Sequence, residues 1–287
     1  ATAPDTARSL TGLLTGYPFA AEPGAAPRPS LGELFSRLGY RTYALVEDGA
    51  VDRQLAPGFE EWNDGLDGAD PIPQLADALA RRAPSVGLVY LAGPDSLAPL
   101  SSGLAELPGY DRTLVVLTSD HGEPDPAAPV ERGFRDSVVR VPLLVKFPAG
   151  GKPETVPSRT GSITSSIDLL PSLLALAGKD ISGALPGSNV LDGYFSGSAF
   201  ITAGDAWAFV QDNHKVVVRG EKAWVFDLAA DPAETEDLTA SRPDLARGLL
   251  KMAVEMRGSL STDAVSAVDE GMDEETLEHL RSLGYIQ

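Results

Sequence analysis

The chain has 287 residues, 43% of them hydrophobic and 22% charged, which allows one large hydrophobic core or a core with a smaller satellite. Its 23 Lys and Arg against 41 Asp and Glu give a net charge of −18, which would repel nucleic acid and anionic membranes. With no Cys it can form neither disulfides nor thiolate metal sites, and no apolar run approaches the roughly 20 residues of a membrane span.

The first half of the chain alternates predicted helices and strands. Ser30 and Glu33 have the spacing of a capping box and begin an apolar helix stripe, which a β-rich run at 41–46 follows. A second helix is predicted at about 73–82, and it leads into an apolar strand at 86–91. This alternation predicts an α/β fold.

The most strand-like run lies at 114–118, and its carboxyl end delivers Asp120 and His121 into a loop. Ligand-bearing residues of parallel sheets collect at such carboxyl ends. A further strand at 143–147 and a helix at 167–177 complete a mixed, mostly parallel sheet covered by helices on both faces.

After residue 185 the pattern changes to short β-rich runs separated by turn-length gaps, which predicts an antiparallel meander. The runs are at 199–202, 207–211, 214–219 and 223–228. Helices at 243–256 and 273–283 end the chain. We therefore expect a main α/β domain at 1–185 and a carboxyl-terminal antiparallel subdomain with closing helices at 186–287. Its large aromatic side chains should be partly buried, namely Trp207, Trp224 and Phe226.

A family resemblance becomes specific when the motifs are taken together. Residues 3–18 resemble the segment of sulfatase-like proteins in which the nucleophile opens a helix ending in Leu-Leu-Thr-Gly, and Thr6 falls on the nucleophile position. Further motifs follow in family order: LVVLTSDHGE at 114–123, RVPLLV at 140–145, SIDLLPSLLALAG at 166–178, FDLAADPAETEDL at 226–238 and LRSLGYI at 280–286. On these motifs the chain is identified as a member of the sulfatase and alkaline phosphatase superfamily.

The resemblance implies a metal-dependent hydrolase or transferase of phosphate or sulfate esters, with Thr6 as nucleophile and Asp120 and His121 as metal ligands. A hydroxyl at a helix amino terminus also lies where anions bind, although a simple N-cap Thr has the same pattern. A carboxylate with an imidazole suits zinc or manganese better than calcium or magnesium. Sulfatases proper need a formylglycine made from Cys or Ser. Thr6 supplies neither, so phosphoryl chemistry is favoured over sulfate chemistry.

Five other residues are candidates for the site. Ser9 is either a second catalytic donor or a partner of the first helical turn, and His214 is either a catalytic residue that contacts substrate or a surface strand residue. The resemblance gives Arg8, Asp95 and Arg132 as substrate-binding candidates. Two of these positions depart from the family pattern. Relatives carry Pro at the position of Arg8, and they carry a His in the loop that contains Asp95.

The chain is expected to be amino-terminally truncated or degenerate, since the strand with the family's first metal-binding acids would precede Ala1. Three hypotheses remain open: an enzyme acting on phosphate esters through Thr6, an enzyme of sulfatase descent with another ester substrate, and a degenerate protein that binds an anionic ligand or partner without turnover. In the enzyme hypotheses the partner is a small-molecule, glycan or lipid ester. With only two recognisable metal ligands, weak metal binding and poor turnover are expected. Export is a family-level expectation only.

Overall fold

The computed structural model describes most of the chain, in residues 1–18, 28–47, 51–66, 70–81, 84–93, 97–123, 134–179 and 185–260. These residues form two compact units. Unit one is drawn from Ala1–Arg28, Thr118–Leu143 and Pro153–Met272, and unit two from Pro29–Leu117 and Leu144–Lys152. The domain boundary predicted at residue 185 falls inside unit one.

Unit two is built on a parallel sheet. Its strands are β1 (Arg41–Val46), β2 (Glu61–Asn63) and β3 (Ser85–Tyr90), in the order β2-β1-β3, and β1 runs parallel to both neighbours. Five of the six residues of the central strand β1 are buried, as expected for a parallel strand covered on both faces. The helix–strand alternation in the sequence therefore predicted two of these strands, β1 and β3, and missed β2.

Three helices accompany this sheet, α2 (Leu31–Arg37), α3 (Ile72–Ala80) and α4 (Leu97–Gly103). The capping box predicted for α2 is formed: the Ser30 hydroxyl accepts from Glu33 N at 3.2 Å, and the Glu33 carboxylate accepts from Ser30 N at 2.8 Å. Side chains of β1 and α3 share one buried cluster with two loop residues: Tyr43, Leu45, Leu66, Leu75, Ala78 and Leu107.

Strands β4 (Val115–Thr118) and β5 (Leu143–Lys146) pair as a separate two-stranded sheet in the described part of the chain. The Thr118 hydroxyl at the end of β4 donates to Pro142 O at 2.8 Å. The chain leaves β4 directly into the loop that carries Asp120 and His121, as the sequence predicted.

Unit one contains an antiparallel sheet whose strands follow one another in chain order: β6 (Ser198–Ala203), β7 (Ala206–Gln211), β8 (His214–Arg219) and β9 (Lys222–Asp227). Two-residue turns join them. The first residue of each turn has a positive φ, which Gly204 and Gly220 adopt freely and Asp212 tolerates.

Both faces of this sheet are covered within unit one. One face packs with the short helix α5 (Asp136–Val139), and the other packs with α7 (Pro243–Leu260). Trp207 and Phe226 are each 6% exposed and Trp224 is half-buried. The predicted fold class, a parallel α/β sheet plus a smaller antiparallel sheet with a helix, is confirmed. The helix predicted at 273–283 lies outside the described residues.

Two further helices of unit one, α1 (Thr6–Thr15) and α6 (Leu169–Leu176), pack against each other. α1 ends at Gly16, whose φ of 75° is left-handed. The turn before α6 is held by buried Asp168, which accepts from Ser165 N at 2.7 Å and Ser188 N at 2.8 Å. Among the described helices, none combines the length and apolar character needed to cross a bilayer.

Candidate active site

The first residue of helix α1 is Thr6, so its hydroxyl lies at the positive end of the helix dipole. The N-cap is Asp5, whose carboxylate accepts from Arg8 N at 3.0 Å and from the Arg8 guanidinium at 2.8 Å. One of the free N–H groups of the helix terminus is therefore already occupied by a carboxylate. Arg8, predicted to bind substrate, is paired with this cap.

The Thr6 hydroxyl meets the imidazole of His121, with Oγ1 and Nε2 3.2 Å apart. The other ring nitrogen, Nδ1, lies 2.6 Å from the carbonyl oxygen of Gly122. Because a carbonyl can only accept, Nδ1 carries the proton in the neutral ring and Nε2 is left as an acceptor. The Thr6 hydroxyl therefore donates to His121, which is the arrangement of a nucleophile with its general base.

Asp120 shares this space. Its Oδ1 accepts from His121 N at 2.9 Å, and its Oδ2 lies 3.5 Å from His121 Nε2. The two side chains are 14% and 20% exposed, respectively. Thr6, Asp120 and His121 thus converge in the loop after β4.

Ser9 is 1% exposed, and its hydroxyl is bonded to the main chain. It lies 2.7 Å from Asp120 O and 2.9 Å from Ala3 O, and it accepts from Ala3 N at 3.1 Å. A single hydroxyl proton serves one carbonyl at a time. Ser9 therefore ties the start of α1 to the Asp120 main chain, and its predicted role as a catalytic donor stays a prediction.

The donor chemistry at this point suits a zinc or manganese ion, since a carboxylate oxygen and an imidazole nitrogen lie side by side. A catalytic metal commonly has three or more protein ligands. In the described ranges, no group of three His, Cys, Asp or Glu gathers here or elsewhere. These ranges therefore supply two ligands, Asp120 and His121, of any such site.

The remaining predicted residues lie elsewhere or outside the described chain. His214 begins β8, opposite Asp227 of β9, and its predicted contact with substrate stays a prediction. The N–H of Ala230 holds the pKa of the Asp227 carboxyl below its usual value, and His214 adds to this effect. Asp95 and Arg132 are not among the described residues.

Sequence reasoning missed Lys215, which is completely buried. Its Nζ donates to Phe134 O at 2.7 Å, Asp136 Oδ1 at 2.7 Å and Glu234 Oε1 at 2.9 Å. The signal was present, because the period of two along β8 places Lys215 on the same face as Val217. A lysine on an apolar strand face needs buried partners.

Residues 96–179 match the family model described as Sulfatase. A stretch of 84 residues is 36% identical to the uncharacterized sulfatase YidJ of Escherichia coli (strain K12), covering 28% of this chain. The match spans only 16% of the length of that relative.

Solved structures agree over nearly the whole chain. The phosphonate monoester hydrolase of Agrobacterium radiobacter superposes with a TM-score of 0.71 at 15% identity, over 91% of this chain and 87% of that one. A protein in the alkaline phosphatase superfamily from Vibrio parahaemolyticus gives 0.62 at 15% identity, over 84% and 76%. BT4656, solved with its substrate D-glucosamine-2-N,6-O-disulfate, gives 0.67 at 12% identity, over 92% and 90%.

At these identities the structural likeness establishes the fold, which is that of the hydrolases related to sulfatases and alkaline phosphatases. The sulfatase segment at 96–179 and its relative agree with this fold, and the three findings together support a protein of the sulfatase and alkaline phosphatase superfamily. The resemblance drawn from the sequence motifs is confirmed.

Proposed function

We propose that this protein is a hydrolase of phosphate or sulfate esters in which Thr6 is the nucleophile and His121 takes its proton. The observation that carries the proposal is the contact of 3.2 Å between Thr6 Oγ1 and His121 Nε2. The bond from Nδ1 to Gly122 O supports it, because this bond leaves Nε2 free to accept.

In the first step Thr6 Oγ1 attacks the phosphorus or sulfur atom, and the bond from that atom to the alcohol oxygen of the ester breaks. The Thr6 proton passes to His121 Nε2, while Nδ1 keeps its own proton and continues to donate it to the Gly122 carbonyl. The departing alcohol takes a proton from water. In the second step water attacks the ester on Thr6 and gives its proton to the hydroxide that the first step left. The bond from phosphorus or sulfur to Thr6 Oγ1 breaks, and His121 Nε2 returns its proton to Oγ1, which releases the anion and restores the hydroxyl. If another alcohol replaces water, the same steps give a transferase.

We propose that Asp120 and His121 contribute to a divalent metal site, with zinc or manganese as the candidates because of the nitrogen ligand. When bound, such an ion supplies positive charge against the developing anion, an effect typically worth several kcal/mol. His121 Nε2 cannot bind the ion and accept the Thr6 proton at once. Metal binding should therefore be tested separately from turnover.

Phosphoryl chemistry is the preferred class because Thr6 cannot give a formylglycine. The likeness to a phosphonate monoester hydrolase supports phosphorus esters as substrates of this fold. The sulfated sugar bound by BT4656 supports a glycan ester as the alternative substrate.

A second candidate function is binding of an anionic ligand without turnover, as in a degenerate member of the superfamily. It is favoured by the count of metal ligands, because the described residues bring only Asp120 and His121 together.

The test is hydrolysis of aryl phosphate, phosphodiester and aryl sulfate by the purified chain, with and without Zn²⁺ or Mn²⁺. Thr6→Ala should abolish turnover. Thr11→Ala is the matched control, since Thr11 lies on the same helix and its hydroxyl donates to the Ala7 carbonyl at 2.8 Å. Equal activity of the two variants would remove Thr6 from the mechanism. An inactive wild-type protein that still binds inorganic phosphate would support the second candidate.

A further inference from the structure

Lys215 is 0% exposed, and all three of its N–H donors have acceptors. Two of those acceptors are the carboxylates of Asp136 and Glu234, the latter 5% exposed. An ionic group of this kind does not stabilise a fold better than well-packed apolar side chains of the same size. Stability alone therefore does not account for a lysine on the buried face of β8.

The partners of Lys215 all lie at or beside the start of helix α5. Lys215 binds Phe134 O and the Asp136 side chain, and the Glu234 carboxylate accepts from Asp136 N at 2.7 Å. The N-cap residue of α5, Arg135, gives no side-chain cap, so Glu234 caps this helix from outside. Glu234 is held with a left-handed φ of 53°, a strained conformation that its bonds maintain.

Helix α5 in turn holds the loop that carries His121. Its Val138 carbonyl accepts from Gly122 N at 2.6 Å. The approach is so close that a Cβ on Gly122 would lie 2.3 Å from Ser137 O. The Gly122 carbonyl then accepts from His121 Nδ1. Through the N–H and the carbonyl of Gly122, two hydrogen bonds thus connect α5 to the His121 ring.

We propose that Lys215 and Glu234 are positioning residues: by fixing α5 they hold the Gly122 carbonyl where it keeps His121 in the Nδ1–H tautomer, with Nε2 towards Thr6. The effect on turnover rests on the proposed function, whereas the effect on the His121 tautomer does not. The two can therefore fail separately.

The experiment is nitrogen NMR of the histidine rings in the chelator-treated protein, at a pH well above the ordinary imidazole pKa. The chain has only three histidines, so substitution of His214 and His279 assigns the His121 signals. The wild-type His121 should be mainly the Nδ1–H tautomer. In Glu234→Ala and Lys215→Met the ratio of this tautomer to the Nε2–H form should fall severalfold, without a change at His214.

The matched control is Arg219→Met. Arg219 lies on the same face of β8 as Lys215, further along the strand, and its ion pair with Asp205 at 3.2 Å is exposed. This control should leave the His121 spectrum unchanged. Should Lys215→Met not fold, Glu234→Gln, which keeps the side-chain size and removes one charge, decides in the same measurement.

A His121 spectrum that stays unchanged in every folded variant overturns the proposal. If the variants lose the Nδ1–H tautomer of His121 and the wild-type protein shows no turnover, the positioning role of Lys215 and Glu234 is supported and the proposed hydrolase activity is not. Where turnover is present, kcat of the folded Glu234→Ala protein should fall while KM stays nearly constant, because a purely structural role would lower only the folded fraction.

Discussion

Gly122→Ala is the most direct perturbation of the candidate site. The added methyl would lie 2.3 Å from Ser137 O and 3.2 Å from Val138 Cα, whereas ordinary contact begins at 3.4 Å. Both neighbours are main-chain atoms of α5, so no side chain can rotate away. Relief requires a backbone shift of about 1 Å, the usual response to overpacking.

Such a shift removes the hydrogen bond of 2.6 Å from Gly122 N to Val138 O. Overpacking costs about 1–3 kcal/mol and a lost hydrogen bond about 1 kcal/mol, so we expect a destabilisation of about 2–4 kcal/mol. The contact between Thr6 Oγ1 and His121 Nε2, already 3.2 Å long, would also be lost. A misplacement of about 1 Å can lower turnover by roughly 10²-fold.

The assays are urea unfolding and, for the folded fraction, hydrolysis of an aryl ester. Gly161→Ala is the matched control in the same unit, because none of the described residues has an atom within 4 Å of its added methyl. Its stability should stay within about 0.5 kcal/mol of the wild type. If Gly122→Ala matched this control in both assays, the reasoning from close approach would be refuted.

Two further predictions concern stability. Burial raises the pKa of the Asp168 carboxyl against the opposing bonds from Ser188 N and Ser165 N, so the folded state holds this proton more tightly than the unfolded chain. The free energy of unfolding of the wild type, measured relative to that of Asp168→Asn, should therefore fall as the pH rises from about 4, the ordinary pKa of Asp, through the raised pKa. The measurement is urea unfolding of both proteins at a series of pH values. A difference that stays constant or increases with pH would contradict the prediction. Gly248→Ala lies in helix α7, where an added methyl has no atom of the described residues within 4 Å. It should raise the free energy of unfolding by about 0.5–1 kcal/mol, and a lower free energy in the same assay would contradict this.

Local patterns in the sequence predicted most of the fold. Strands β1 and β8 have the predicted bounds. Of the other seven strands in the described residues, six fall within two residues of their predicted bounds, and β2 was not predicted. β2 has only three residues, Glu61–Asn63, with alternating exposure, so it lacks both the length and the apolar run that mark a buried strand. Its existence depends on pairing with β1, which no local pattern contains.

The candidate site was predictable only in part. Thr6, Asp120 and His121 were found because each stands beside the end of a recognisable element. The Nδ1–H tautomer of His121 was not, because it depends on a carbonyl whose direction is set by α5. Glu234 was likewise hidden, since its contact with Asp136 spans 98 residues of sequence.

The two candidate functions make different demands on the start of α1. A protein that only binds an anion needs open N–H donors and positive charge. Here Asp5 occupies one of those donors, and Arg8 is paired with the same carboxylate. A nucleophile needs an acceptor held in the correct tautomer, and the contacts from Gly122 to His121 and from His121 to Thr6 meet that demand. These contacts favour the proposed chemistry on an ester, which is why we place hydrolysis ahead of binding.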